Sequence, residues 1–180
     1  MKIWQLRFEL EMFDSLVPVK SLSVEEIQSF DGRSHLKDWK PIKLERMEPE
    51  KKLKLSDAPG FGMIIFSKKA IECLKPLINN YVEVLPLECS EGEYTLINII
   101  TVLKAIDYEK SVYDTFSDGK RIMSFDKYSF LPQVVSGIPI FKITDEKIGR
   151  GFVSDEFKKV VEENKLSGFK FKLVWDSEEA

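Results

Sequence analysis

Two places in this chain fix its topology locally. Val82–Cys89 and Glu93–Ile100 flank Ser90-Glu91-Gly92, and Val112–Phe116 and Arg121–Phe130 flank Ser117-Asp118-Gly119. A short glycine-containing link between β-rich segments joins antiparallel neighbours, because it is too short to cross back over a sheet. Both places therefore read as hairpins. The arm Tyr94–Ile100 is apolar on both faces, the pattern of a central strand.

The rest of the chain supplies more short strands and a few capped helices. Residues 2–10 alternate, with Trp4, Leu6, Phe8 and Leu10 on one face and Gln5, Arg7 and Glu9 on the other. Ser23-Val-Glu-Glu26 is a capping box opening a short helix that ends near Gly32. Residues 33–55 are mixed in charge and broken by Pro41 and Pro49, which predicts a loop with one short strand at Ile42–Leu44. Ser56-Asp-Ala-Pro-Gly60 reads as a turn on composition, and Gly62–Phe66 as a buried strand. Ser67 caps a helix whose stripe is Ala70, Ile71, Leu74, Leu77 and Ile78, with Pro76 loosening its last turn.

Thr101–Ile106 reads as one or two helical turns, and Ile138–Ile143 as a strand. Ser154 caps a helix with Asp155 and Glu156 in its first turn and Phe157, Val160 and Val161 on its core side; Gly168 stops it. Phe169–Trp175 is the last strand, and Asp176–Ala180 reads as a frayed acidic tail. About seven short strands with three or four short helices indicate an α+β fold with a largely antiparallel sheet. The regular strand–helix alternation of a doubly wound sheet is missing. The expected division is an N-terminal strand, short helix and charged loop over 1–55, packed on an α+β domain over 56–176.

With 43% hydrophobic residues and 13 Phe, the core is expected to be built largely from phenylalanine. The longest uncharged run, Tyr128–Phe141, is broken by Pro132 and Pro139 and falls short of the roughly 20 apolar residues a spanning helix needs. The opening Met-Lys-Ile-Trp-Gln-Leu-Arg carries charge too early for a signal peptide, so a cytoplasmic protein without a membrane partner is expected. Cys73 and Cys89 read as separate buried thiols, and His35 is the sole imidazole, so neither a disulfide nor a metal or cofactor site is expected.

A net charge of −3 argues against a nucleic-acid partner. Its distribution is uneven: residues 37–54 hold seven basic and four acidic side chains, residues 82–118 eight acidic and two basic. An acidic centre of that size favours a basic protein partner.

Catalytic readings fare poorly. His35 lies in a polar loop, read as solvent-facing, and no Gly-x-Ser-x-Gly elbow accompanies it. Pro59-Gly-Phe-Gly62 lacks the spacing and the Lys-Ser/Thr of a phosphate loop. The remaining chemistry is carboxylates: Glu88, Glu91 and Glu93 about one turn, and Asp107 with Glu109 about Tyr108. Asp107 follows an apolar run and precedes Ser111, which suits a partly buried carboxylate organising a turn. Trp4 and Trp175 belong to strands; Trp39, between Lys37 and Lys40, reads either as packing against the domain or as a binding hot spot.

A series of landmarks runs through the last two thirds of the chain. They are Ser-Asp-Ala-Pro-Gly-Phe (56–61), Leu-Pro-Leu-Glu-Cys (85–89), Glu-Gly-Glu-Tyr-Thr-Leu-Ile-Asn (91–98), Ala-Ile-Asp-Tyr-Glu-Lys-Ser (105–111), Ile-Pro-Ile-Phe-Lys-Ile (138–143), Phe-Val-Ser-Asp-Glu-Phe (152–157) and Leu-Ser-Gly-Phe-Lys-Phe (166–171) before Trp175. In order and content Ser56–Trp175 resembles the bacterial immunity proteins of polymorphic toxin systems, once described only as a domain of unknown function. The resemblance implies a non-catalytic cytosolic protein that binds and neutralises a cognate toxin domain. It carries no catalytic residues over, and Gly92, Tyr94, Asp107, Ser111, Phe141, Ser154 and Gly168 look like determinants of fold. On charge, the expected contact residues are Glu88, Glu91, Glu93, Asp107, Asp114 and Asp118, together with Trp39. The alternative is a small enzyme or metabolite- or metal-binding protein using the carboxylates near Glu88–Glu93 and Asp107. A homodimer is left open.

Overall fold

The computed structural model describes residues 1–149 and 151–179. In chain order the elements begin with β1 (Lys2–Phe8), β2 (Asp14–Pro18), α1 (Val24–Gln28), β3 (Lys43–Arg46), β4 (Leu55–Gly60) and β5 (Ile65–Ser67). Then come α2 (Lys68–Ile78), β6 (Val82–Pro86), β7 (Glu88–Cys89), β8 (Tyr94–Ile99), β9 (Val102–Leu103), β10 (Val112–Thr115) and β11 (Ile122–Lys127). The chain closes with α3 (Pro132–Val135), β12 (Ile140–Ile143), β13 (Phe152–Ser154), α4 (Asp155–Glu163) and β14 (Phe169–Asp176). The fold is α+β. Many of its strands are only two to four residues long, which is why more appear than periodicity can register.

A five-stranded sheet in the order β14-β1-β13-β12-β9 is antiparallel except for the β12–β9 pair. The second sheet, β5-β8-β6, is antiparallel with β8 in its centre, where the two-faced apolar pattern of Tyr94–Ile100 places it. A mixed sheet, β4-β2-β3-β7, and the free-standing β10–β11 hairpin complete the set. Phe66, Phe130, Phe141, Phe152 and Phe157 are fully buried, so the core is indeed phenylalanine-rich. β1 lies inside its sheet and buries both faces, Ile3 into the aromatic cluster of Phe130, Phe141, Phe152 and Trp175, and Leu6 against Phe66 and Phe157.

The caps fall where expected. Ser23 and Glu26 form both bonds of the capping box, Ser67 accepts from Ala70 N at the start of α2, and Ser154 accepts from Phe157 N. Pro76 lies inside α2. Several readings are corrected. Ser56–Gly60 is strand rather than turn, because it pairs in parallel with β2, itself unrecognised in the sequence. Thr101–Ile106 is not helical: Val102 and Leu103 pair with Lys142 and Ile143, and Ile106 bridges to Phe130. α1 ends at Gln28, well before Gly32. β1 stops at Phe8, leaving Leu10 outside. Asp176 belongs to β14 and pairs with Lys2, so the acidic tail begins later; Ala180 lies outside the described residues.

Gly168 does not stop α4 either, since Asn164 already caps it. At φ +83 it lets the chain approach Ser56 so closely that a Cβ would lie 2.1 Å from the Ser56 hydroxyl oxygen. Beside that contact the Asp57 carboxylate closes a clasp. Oδ1 accepts from the Ser67 hydroxyl at 2.8 Å, and Oδ2 accepts from Ser167 N at 2.9 Å and the Ser167 hydroxyl at 3.0 Å. Lys69 Nζ stands 3.7 Å from Oδ2. Burial pushes the Asp57 carboxyl up, but these hydrogen bonds and the Lys69 charge outweigh it, and the net direction is down.

Replacing Asp57 with Ala strips a cap, a strand and a loop of one shared acceptor. Urea unfolding should show a loss of roughly 2–4 kcal/mol. Because the folded-state carboxyl titrates lower than its ordinary 3.8, its contribution is complete above that pH and fades below it. The gap between wild type and Asp57→Asn should therefore narrow as pH falls below 3.8; a pH-independent gap would refute the clasp's ionic character.

Candidate functional site

The charged stretches of the sequence meet in space. β3 lies parallel to β7 with Lys43 opposite Glu88 and Leu44 opposite Cys89. At the end of β3, Arg46 Nε donates to Glu91 Oε2 at 2.7 Å, and its Nη1 donates to the Leu53 carbonyl at 2.8 Å and reaches Asp14 Oδ2 at 3.4 Å. The hydrogen bond that Arg46 donates to Glu91 raises the Arg46 pKa despite desolvation. Across the turn, Lys68 Nζ pairs with Glu93 at 3.1 Å. The basic segment 37–54 thus supplies a counter-ion for the acidic turn, and the turn is less negative than its own sequence implies.

The other acidic positions belong to the β10–β11 hairpin and its base. Asp107 is half-buried: Oδ1 accepts from Glu109 N at 3.2 Å, and its carbonyl accepts from Ser111 N at 3.0 Å and the Ser111 hydroxyl at 2.8 Å. It organises a turn, as its sequence context predicts. Asp114 is exposed on β10. Asp118 shapes the tip, where Oδ1 accepts from Lys120 N and Arg121 N at 2.9 and 3.0 Å, and Oδ2 accepts from Arg121 Nε at 2.6 Å. The Arg121 guanidinium in turn stands 5.0 Å over the Phe116 ring.

An aromatic run ties this projection to the core. From buried Phe130 the rings pass through Tyr128, Phe125 and Tyr113 to Tyr108, at centroid spacings of 5.9, 4.7, 5.8 and 5.9 Å. Beyond it Val112, Phe116 and Met123 remain 52%, 44% and 55% exposed. All three large apolar side chains belong to this one two-stranded hairpin. Trp39, by contrast, is half-buried: its Nε1 donates to the Pro86 carbonyl at 2.8 Å and its ring packs edge-on to Phe30.

One polar cluster escaped the sequence. Glu83, Asn98 and Lys142 are 5%, 1% and 3% exposed. Asn98 Nδ2 donates to Glu83 Oε2 and to the Arg33 carbonyl, both at 2.9 Å, and His35 N donates to Glu83 Oε2 at 2.8 Å. His35 is therefore half-buried rather than solvent-facing, with its Nε2 at 2.9 Å from the Ser29 carbonyl and its ring on Phe30. Lys142 Nζ donates to the Phe30 carbonyl at 2.5 Å. Burial lowers the Lys142 pKa to about 8, against a smaller upward pull from Asp31. Lys142 stands within Ile-Phe-Lys-Ile, whose four residues are all buried; an apolar run too short to alternate was the available signal.

Since Lys142 titrates lower folded than unfolded, the unfolded chain holds more protons between about 8 and 10.5, and that burden on the fold lifts as pH rises. The stability of wild type relative to Lys142→Met should improve by about 2 kcal/mol from pH 7 to 9.5, read from paired urea melts. A flat difference would show that this ammonium is not desolvated.

Among the described residues no group of three or more His, Cys, Asp or Glu is placed to hold a metal ion, Cys73 and Cys89 are free, half-buried thiols, and no helix is long and apolar enough to cross a membrane. No curated protein matches the chain. A family model described as "Immunity protein family (Imm11)" matches residues 47–176, most of the chain, and reaches from the end of β3 to the end of β14. The protein belongs to the Imm11 immunity protein family.

Proposed function

We propose that this chain is a non-catalytic cytosolic immunity protein that binds and neutralises a cognate toxin domain of a polymorphic toxin system. The family match over residues 47–176 carries this reading. The toxin's contact surface is the β10–β11 hairpin. Its support is a tip that combines an exposed Phe116, the Arg121 over it and the acidic Asp114 and Asp118, on a stem held rigid by the aromatic run. Aromatic and arginine anchors of this kind dominate binding energy, and a rigid stem avoids ordering cost on association. The Glu88–Glu91–Glu93 turn is the second contact, with Glu88 exposed beside β3 and the other two carboxylates each holding one cation. Its contribution is to association rate rather than affinity.

The first test is capture of the tagged protein from its host at natural abundance, with identification of stoichiometric partners by mass spectrometry. Recovery of the C-terminal fragment of a large exported protein is the expected result. Recovery of this chain alone, from cells that express such a toxin, would refute the proposal. With that toxin in hand, Phe116→Ala with Arg121→Ala should weaken binding at least about 30-fold while leaving the melting temperature within a few degrees. Glu91→Lys with Glu93→Lys should instead slow association and flatten its salt dependence. Unchanged affinity in the first pair would exclude the hairpin as the contact.

A further inference from the structure

A cleft of about 520 Å³ opens beside the polar cluster, lined by residues of β2, β8 and β12 and by the loops around α1 and β5. Its volume lies within the roughly 300–1,000 Å³ of small-molecule sites. Leu22, Phe30, Met63 and Ile97 give it an apolar wall. Its lining also includes Ile27, Phe61 and Ile148, which are 48%, 47% and 41% exposed, a mouth of large apolar side chains open to solvent. Phe61 is held there by a tight loop: a Cβ on Gly60 would lie 2.0 Å from the Met63 carbonyl oxygen, so only glycine fits.

Among the described residues, the deeply buried polar side chains of this lining are Lys142 and Asn98. Both are incompletely satisfied. The ammonium has three donors and one protein acceptor, the Phe30 carbonyl, and among the described residues no carboxylate lies within 4.0 Å of it. Asp31, whose charge acts on it, is held by Arg33 through bonds of 2.9 and 2.8 Å. Asn98 has both amide protons engaged, but its Oδ1 is buried without a donor. Tethering Phe30 alone would be served by a neutral donor at lower cost. A buried cation is retained where an anion pairs with it.

We propose that this cleft binds a small amphiphilic carboxylate, its apolar body against Leu22, Phe30, Met63 and Ile97, its carboxylate on Lys142, and a neighbouring hydroxyl or N–H donating to Asn98 Oδ1. The carboxylate satisfies the two free ammonium protons with charge-assisted hydrogen bonds in a desolvated setting. The adjoining donor satisfies the amide oxygen, and the aliphatic wall removes the tail from water. The inference stands independently of the toxin reading.

Isothermal titration of the full-length protein with 3-hydroxyoctanoate, octanoate and octylamine tests it. Saturable 1:1 binding of 3-hydroxyoctanoate at ~100 μM or tighter is expected, several-fold better than octanoate, with octylamine at least about tenfold weaker than either. Lys142→Met should weaken both acids about tenfold or more. Leu22→Trp, at a partly exposed position of the wall, should block the cleft while circular dichroism shows an unchanged fold. Absence of saturable acid binding, equal binding of octylamine, or wild-type affinity in Lys142→Met would each overturn the proposal. So would loss of toxin binding in Leu22→Trp with no acid bound by wild type, because the cleft would then receive a partner's side chain.

Discussion

The Asp57 carboxylate is the contact on which the arrangement of the other elements depends. It stands on β4, reaches the Ser67 hydroxyl that caps α2, and holds Ser167 just before β14, 110 residues away. β14 is the edge strand that pairs along the whole of β1, and β1 in turn pairs with β13, which leads directly into α4. One anion therefore registers a helix start against the last strand of the sheet on which the second long helix sits. Hydrogen bonds to a charged acceptor contribute about 1.5–3 kcal/mol each, so three converging on a mostly buried carboxylate outweigh any surface ion pair in this molecule. Gly168 serves the same junction by admitting Ser56 where a side chain would not fit. Ser56–Phe61 and Leu166–Phe171, two landmarks far apart in the sequence, are thus halves of one structural device.

What the sequence made legible was whatever is decided locally. Capping serines at 23, 67 and 154, the hairpin turns around Gly92 and Gly119, and the central character of β8 all rest on neighbours within a few residues. What it hid was decided by distant partners. β9 is two residues long and exists because β12 runs beside it in parallel. β4 contains Ala-Pro-Gly and looks like a turn, yet it accepts β2 along its edge, where the proline's missing N–H is harmless. β2 itself, Asp-Ser-Leu-Val-Pro, carries two polar residues at its start that are buried and hydrogen-bonded, the reverse of a period-two signal. Position in the sheet overrode propensity at each of these places.

Local charge is likewise set by distant partners. A window of sequence sums the carboxylates of Glu88–Glu93 but cannot include Arg46 or Lys68, which fold onto that turn from other elements. Asp118 is likewise occupied by Arg121 at the hairpin tip. The polar residues available to a partner are those whose neighbours leave them unpaired, and that property appears only after folding.

Lys142 carries this logic furthest. In Ile-Phe-Lys-Ile a lysine ordinarily turns outward, and the strand would then have one wet face. Here Phe141 and Ile143 fill the aromatic cluster while Ile140 and Lys142 fall on the opposite side, which α2 and α4 and their cluster also close off. Buried Lys142 lines the cleft together with Asn98. Simple repacking with a methionine would fit the volume and remove the desolvation penalty. Asp57, a partly buried carboxylate, accepts from three donors, whereas at Lys142 the fold would gain from that change unless the cation is needed. The contrast between the two groups, one fully partnered and one with protons to spare, separates a structural charge from a receptive one.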